Sequence, residues 1–327
     1  MLMAARRPGT RLCWCVGVVL TSEAPMNATQ ISPTEATPSP AAQLYRLHVC
    51  ADLLLARGQY RYAEPLYRAA LLLAERMFGA DAPSTAALRN NLAVLYKYLG
   101  RFEEAATLYG RALETAVKTL GPNHPEVATL YHNLGGLEHA RGHFAGGEPW
   151  ARQSVAIREQ ALGPDHPEVA ADVAALAALL DGQGKWDEAE ALYRRALAIF
   201  ERVHGPEHYE VAVNLNNLAA LKQARGQLDE AERLYRQALA LKEKLLGAEH
   251  PDTAMTLNNL AVLCKQRGRW AEARSLFERA LAIFQRTLPG GHPKIMTCRE
   301  NYQRLRDAEQ DSKPVLAKRK ASESCPT

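Results

Sequence analysis

The sequence predicts an all-α protein, a right-handed superhelical solenoid of antiparallel helix hairpins, and three observations predict it. Gly58, Gly100, Gly142, Gly184, Gly226 and Gly268 recur every 42 residues without insertion or deletion. The same register places a small residue seven positions before each glycine (Ala51, Ala93, Gly135, Ala177, Ala219, Ala261). Others stand five after it (Ala63, Ala105, Gly147, Ala189, Ala231, Ala273) and twelve after it (Ala70, Ala112, Ser154, Ala196, Ala238, Ala280). Between these points apolar residues fall at three- and four-residue steps, as at Val211, Leu215, Leu218 and Leu221, then at Leu228, Ala231, Leu234, Tyr235, Ala238 and Leu241. A fixed period with two amphipathic helices per unit is the mark of a stacked array, in which no unit buries its apolar face alone.

The elements follow in chain order. Residues 1–43 read as an unstructured leader and linker, with a signal-like segment at 6–24. There Arg6, Arg7 and Arg11 precede the apolar run Leu12 to Leu20, and Met26 to Gln43 is rich in Pro, Ser, Thr and Ala. The run is shorter than the roughly 20 residues a membrane span needs, so no membrane association is expected. Six hairpins and a C-terminal capping helix fill 44–308. In the cap, polar Gln303 takes a slot that the units give to a small residue, which suits a solvent-facing end. The polar, basic segment 309–327 reads as a disordered tail.

Within a unit, the central glycine supplies the left-handed conformation that closes a helical hairpin. Nine residues later stands a ring, Tyr67, Tyr109, Tyr193, Tyr235 or Phe277, with Ala151 as the exception. The third unit also carries Ala145-Gly146-Gly147-Glu148-Pro149 at the start of its second helix, so it is expected to be the least stable hairpin and a hinge. Leu-Gly ends the second helix at Gly121, Gly163 and Gly247, and His-Pro starts the next unit, as at His124-Pro125 and His166-Pro167. Proline suits the first helical position because its missing N–H has no intrahelical partner there. Equivalent histidines on packed helices about 8–10 Å apart cannot share a zinc ion that needs nitrogens at about 2.1 Å, so His-Pro is a joint and no metal is expected.

Composition narrows function. Forty basic against 36 acidic residues leave +4, well short of a nucleic-acid-binding surface, and no nucleic acid partner is expected. Cys13, Cys15, Cys50, Cys264, Cys298 and Cys325 lack paired spacing, which fits a reducing, cytoplasmic setting, with secretion as the alternative. The sequence has no phosphate-binding loop, His-Glu-x-x-His, nucleophile elbow or dinucleotide fingerprint. Neither an enzyme, a cofactor nor a small-molecule substrate is therefore expected.

The segment LNNLAALKQARGQLDEAERLYRQALALKEKLLGAEHPDTAMTLNNLAVL, Leu215 to Leu263, resembles the tetratricopeptide repeat in the 42-residue form of kinesin light chains and their prokaryotic relatives. No long heptad segment accompanies it, which sets the chain apart from a motor subunit. The resemblance implies a concave inner face lined by the first helices, where the position nine before each glycine contacts peptide backbone. Here Asn91, Asn133, Asn217 and Asn259 hold it, Val49 and Ala175 do not, and Asn301 follows at the same step. A side-chain amide offers donors and an acceptor together, so such a ladder suits an extended peptide of any sequence. Arg158 and Lys242, sixteen after the glycine, and Lys97 and Lys265, three before it, add positive charge. The expected function is a scaffold or adaptor gripping an acidic peptide of a protein partner in its groove. The alternative is a self-associating assembly module.

Overall fold

A computed structural model of the chain describes the backbone of residues 39–323 and the side chains of residues 39–309. Thirteen α-helices and no strand occur among the described residues. They form six hairpins, α1 (Pro40–Ala56) with α2 (Tyr60–Phe78), α3 (Pro83–Tyr98) with α4 (Phe102–Leu120), α5 (Pro125–Arg141) with α6 (Phe144–Leu162), α7 (Pro167–Gly182) with α8 (Trp186–His204), α9 (Tyr209–Ala224) with α10 (Leu228–Leu246), and α11 (Pro251–Gln266) with α12 (Trp270–Thr287). The helix α13 (Pro293–Glu323) closes the stack. From α3 to α13, successive first helices pack on one another, which places them on the inside of the curve and the second helices outside.

The repeated slots explain the stacking. The six central glycines adopt φ between 71° and 78°, where a Cβ would be strained, and they turn each chain back on itself. The ring of each second helix is then wholly buried in Tyr67, Tyr109, Tyr193, Tyr235 and Phe277 against the small residues of the register. Each such ring contributes about 1.5–3 kcal/mol of apolar burial.

The third hairpin departs from the expectation of looseness. A Cβ on Gly147 would lie 2.6 Å from Leu179 Cδ2 and 3.1 Å from the carbonyl oxygen of Gly135, so α5, α6 and α7 approach more closely here than alanine allows. Gly147 is thus a packing residue. Ala151 fills the ring slot without a ring, and the adjacent Trp150, itself exposed, stacks on Tyr131 at 5.5 Å between ring centres.

The joints use the imidazole as well as the proline. In His124, His166, His208, His250 and His292, Nδ1 accepts the backbone N–H two residues on, at 3.0–3.3 Å, and so caps the next helix. A ring nitrogen that accepts carries no proton, so the neutral ring has its N–H at Nε2.

In His250 and His292 that N–H has a distant partner. His250 Nε2 donates to the carbonyl of Ala56 at 3.2 Å, and His292 Nε2 to that of Tyr98 at 2.7 Å. Arg61 Nη2 donates to the carbonyl of Leu288 at 2.8 Å. A Cβ added at Gly58 would strike Pro251 Cδ at 2.6 Å, and one at Gly100 would strike Pro293 Cδ at 2.8 Å. The superhelix therefore completes a turn, and hairpins one and two abut the joints of hairpin six and the cap along a seam.

The element limits shift from those expected. Helix α1 begins at Pro40, with Ser39 Oγ accepting from Ala42 N, so part of the predicted leader is helical. The signal-like segment lies outside the described residues. Helix α13 continues to Glu323, through most of the predicted tail, where Ala, Lys, Arg and Glu favour helix.

Candidate functional site

The asparagines on the first helices are joined to each other. Asn133 Nδ2 donates to Asn90 Oδ1 at 2.8 Å, Asn90 Nδ2 to Asn91 Oδ1 at 3.3 Å, and Asn91 Nδ2 lies 2.8 Å from His48 Nε2. A second chain runs from Asn301 through Asn258, Asn259 and Asn216 to Asn217, with spacings of 3.3–3.5 Å. Each link between helices joins residues 43 apart, from the register asparagine of one helix to the preceding asparagine on the helix before it. These amides therefore spend part of their capacity binding helix to helix.

The two chains do not meet, because α7 carries Ala174 and Ala175 where α9 carries Asn216 and Asn217 and α5 carries His132 and Asn133. Asn217 Nδ2, which would donate to position 174, is left fully buried without a hydrogen-bond partner. An orphaned amide donor of this kind costs about 1–3 kcal/mol.

The cations fall into three situations. Arg158 is fully buried, not on the groove rim as the sequence suggests. Its Nε lies 2.7 Å from Asp172 Oδ2, its Nη1 pairs with Glu168, and its Nη2 donates to Thr129 Oγ1 at 2.9 Å. His132 Nδ1 lies 2.6 Å from the other oxygen of Asp172. A guanidinium taken out of water survives only with such partners, and sequence reasoning missed Asp172 because nothing in the register marks it. Lys242 is likewise buried, its Nζ donating to Thr256 Oγ1 at 3.0 Å and to the carbonyl of Asp252 at 3.4 Å. Burial pushes its ammonium down to about 8 against the pull of Asp252. Lys265 is half-buried on α11.

Lys97 is different. It sits at the seam with its Nζ 5.8 Å from the centre of the Tyr98 ring, and Lys294 of α13 lies 5.7 Å from the same centre. Burial, with the like charge of Lys294 behind it, pushes Lys97 down to about 8. Lys294, which carries no signal in the six-unit register, is also lowered by burial. Among the described residues no cluster of three or more His, Cys, Asp or Glu could hold a metal ion, and no helix is long and apolar enough to cross a membrane.

Comparison with known proteins agrees with this architecture. Profiles of the tetratricopeptide repeat match residues 126–202, 171–244 and 210–286, and a second such profile matches 85–126. No curated protein sequence matches the chain. Among solved structures, the nearly identical repeats of a kinesin light chain-like protein from Podosopora anserina share 27% identity, covering 64% of this chain and 98% of theirs, with a TM-score of 0.49. BtubC (BKLC) from P. vanneervenii shares 24%, covering 78% of this chain and 94% of its own, also at 0.49. NprR in complex with its cognate peptide NprX shares 12% over 90% of this chain and 80% of its own, at 0.63.

Proposed function

The chain belongs to the tetratricopeptide repeat family, and from that premise we propose that it is a protein-interaction scaffold whose inner face grips an extended, acidic peptide segment of a partner. The observation that carries this reading is Asn217. A scaffold amide gains nothing from ending its chain on an unpaired buried donor, whereas a peptide carbonyl laid along α7 and α9 satisfies it. The alanines of α7 offer it no side-chain acceptor, so a peptide carbonyl must enter between α7 and α9 to reach it. NprR, which has the same fold, is solved with its cognate peptide NprX. The cationic seam favours a negatively charged segment. No catalytic constellation is part of this reading.

The test separates two asparagines that the sequence treats alike. A partner recovered by affinity capture on the full chain is titrated calorimetrically as its binding peptide. Asn217→Ala should weaken binding about 5- to 150-fold, the equivalent of roughly 1–3 kcal/mol, and leave the melting temperature unchanged or raised. Asn259→Ala breaks the inter-helix chain and should lower the melting temperature. Unchanged binding by Asn217→Ala would sink the groove mechanism.

A second reading has its own observation. Terminal repeats of solenoids normally present a polar outer face. The first hairpin instead leaves Tyr45, Leu53, Tyr62 and Leu72 largely exposed, which favours pairing with a second copy. Light scattering across a hundredfold concentration range decides: a constant monomer mass rejects it.

A further inference from the structure

We propose that the seam between the two turns of the array holds an anion site, built by Lys97 of α3 and Lys294 of α13, that takes a carboxylate or phosphate group. The residues are 197 positions apart, and only closure of the superhelix brings them to one tyrosine ring.

The charges at the seam do not balance. Lys97 feels one charged neighbour, Lys294, of its own sign. Lys294 in turn is near Asp252, but Asp252 already accepts the hydroxyl hydrogen of Tyr209 at 2.6 Å and is the acid that also serves Lys242. Lys97 thus has a like charge beside it and no acid among the groups that act on it, while Lys294 shares Asp252 with Lys242. Neither Lys97 nor Lys294 has a hydrogen-bonded or ion-paired side-chain partner among the described residues, and Lys97 is only 9% exposed. Like charges held together in a poorly solvated place repel, and a chain free to choose would put a neutral residue there. An anion between them removes the repulsion and gives each ammonium a charge-assisted hydrogen bond. It also ties hairpin two to the capping helix.

An acidic side chain of the groove peptide is one source of the anion, in which case the site rests on the function proposed above. A free phosphate is the other source. Two probes distinguish them: inorganic phosphate and acetylated tetraglutamate amide, each titrated calorimetrically into the full chain at constant ionic strength and pH 8. Lys97 is close to half-charged at that pH. Around it, His139 of α5 and His292 of α13 are both lowered by burial and are neutral there, as is His250 of the α11 joint; Lys294 acts on Lys97 directly, and Asp252 and Lys242 act on Lys294 behind it. Bound anion should therefore draw protons onto the lysines, and the measured heat should vary with the ionisation enthalpy of the buffer.

Wild type should bind at least one probe. Lys97→Gln/Lys294→Gln should bind it at least tenfold more weakly, lose the buffer dependence, and melt no lower than wild type without anion, because a buried repulsion is gone. Lys294→Gln alone, at a partly buried position, should weaken binding several-fold and serves if the double variant does not fold. Phosphate binding alone assigns a free anion, and tetraglutamate binding assigns a peptide carboxylate. If neither probe binds, or the lysine variants bind as wild type does, the site is absent. The groove mechanism would then still stand or fall separately on Asn217.

Discussion

The Nε2–H of His292 points at the backbone carbonyl of Tyr98 from 2.7 Å, although 194 residues separate the two. The same imidazole accepts the N–H of Lys294 at Nδ1. One neutral ring thus caps a helix and fastens one turn of the superhelix to the next; a second proton at Nδ1 removes the cap and leaves a charged ring in a buried place, while the Nε2–H bond to Tyr98 persists. His250 makes the equivalent pair of bonds to Asp252 and Ala56.

Acid should weaken the seam, because burial disfavours the charged ring by more than its bond to Tyr98 favours it. Burial pushes His292 down to about 4, and it lowers His250 as well. Unfolded histidine titrates near 6.5, so between about pH 6.5 and 4 the unfolded chain binds more protons and stability falls as pH falls. The contribution of His292 over that window is on the order of 2–3 kcal/mol. Small-angle scattering between pH 7.5 and 4.5 should show the radius of gyration rising before helix content is lost. A radius that stays constant until global melting would reject the latch.

The glycines at the seam should be costlier to replace than their register mates. Gly226 and Gly100 have φ of 78° and 76°, but a Cβ at Gly226 meets nothing within 4 Å whereas one at Gly100 meets Pro293 Cδ at 2.8 Å. Gly226→Ala should cost about 1–2 kcal/mol for the left-handed backbone alone. Gly100→Ala should cost more and should also lower the pH stability difference described above. Equal losses in urea titrations would mean that the contact with Pro293 does not hold in solution.

Two adjacent glycines in the third hairpin should respond with opposite signs. Gly146 is exposed and helical, and a Cβ there comes no closer than 3.7 Å to the end of the Glu138 side chain. Gly146→Ala should stabilise by roughly 0.5–1 kcal/mol. Gly147→Ala drives a methyl against Leu179 and the backbone of Gly135, and should destabilise by about 1–3 kcal/mol. Paired thermal melts check both signs.

Arg158 should behave as a core residue. Arg158→Ala leaves Asp172, itself fully buried, short of its cation, a loss of about 3–5 kcal/mol. Lys185→Ala removes an ion pair with Glu148 that is open to solvent on the lysine side, and should change stability by less than about 1 kcal/mol. A small effect of Arg158→Ala would show that the buried network is not formed.

The hairpins were legible in the sequence because their determinants are local and repeat. A glycine with positive φ, a small residue facing a ring, and a proline at the first helical position each act within about 42 residues, and six copies average out the exceptions. The place of Arg158 was not legible, because it depends on Asp172, which aligns with Asn214 and Thr256 rather than with other acids. The asparagines were legible as a ladder, but not as one whose rungs bond to each other, since the 43-residue step joins two neighbouring positions on different helices. The seam was invisible for a related reason. It is set by how small rotations between units accumulate, and no short stretch of sequence encodes the sum.

Stacked-repeat proteins ordinarily behave as one-dimensional chains, in which each unit owes its stability to its own hairpin and the next one, and ends fray independently. The bond from His292 to Tyr98 adds a term between units that are not neighbours. Fraying of the cap then releases hairpin two, and loss of the first hairpin frees the joint at His250. The molecule should consequently unfold in a single cooperative step in which both ends participate, as a globular domain does. Folding must also wait for loops of 194 residues to close, so the last kinetic phase should be slow, and a chain that carries His250→Ala and Arg61→Ala and lacks its final helix should lose it.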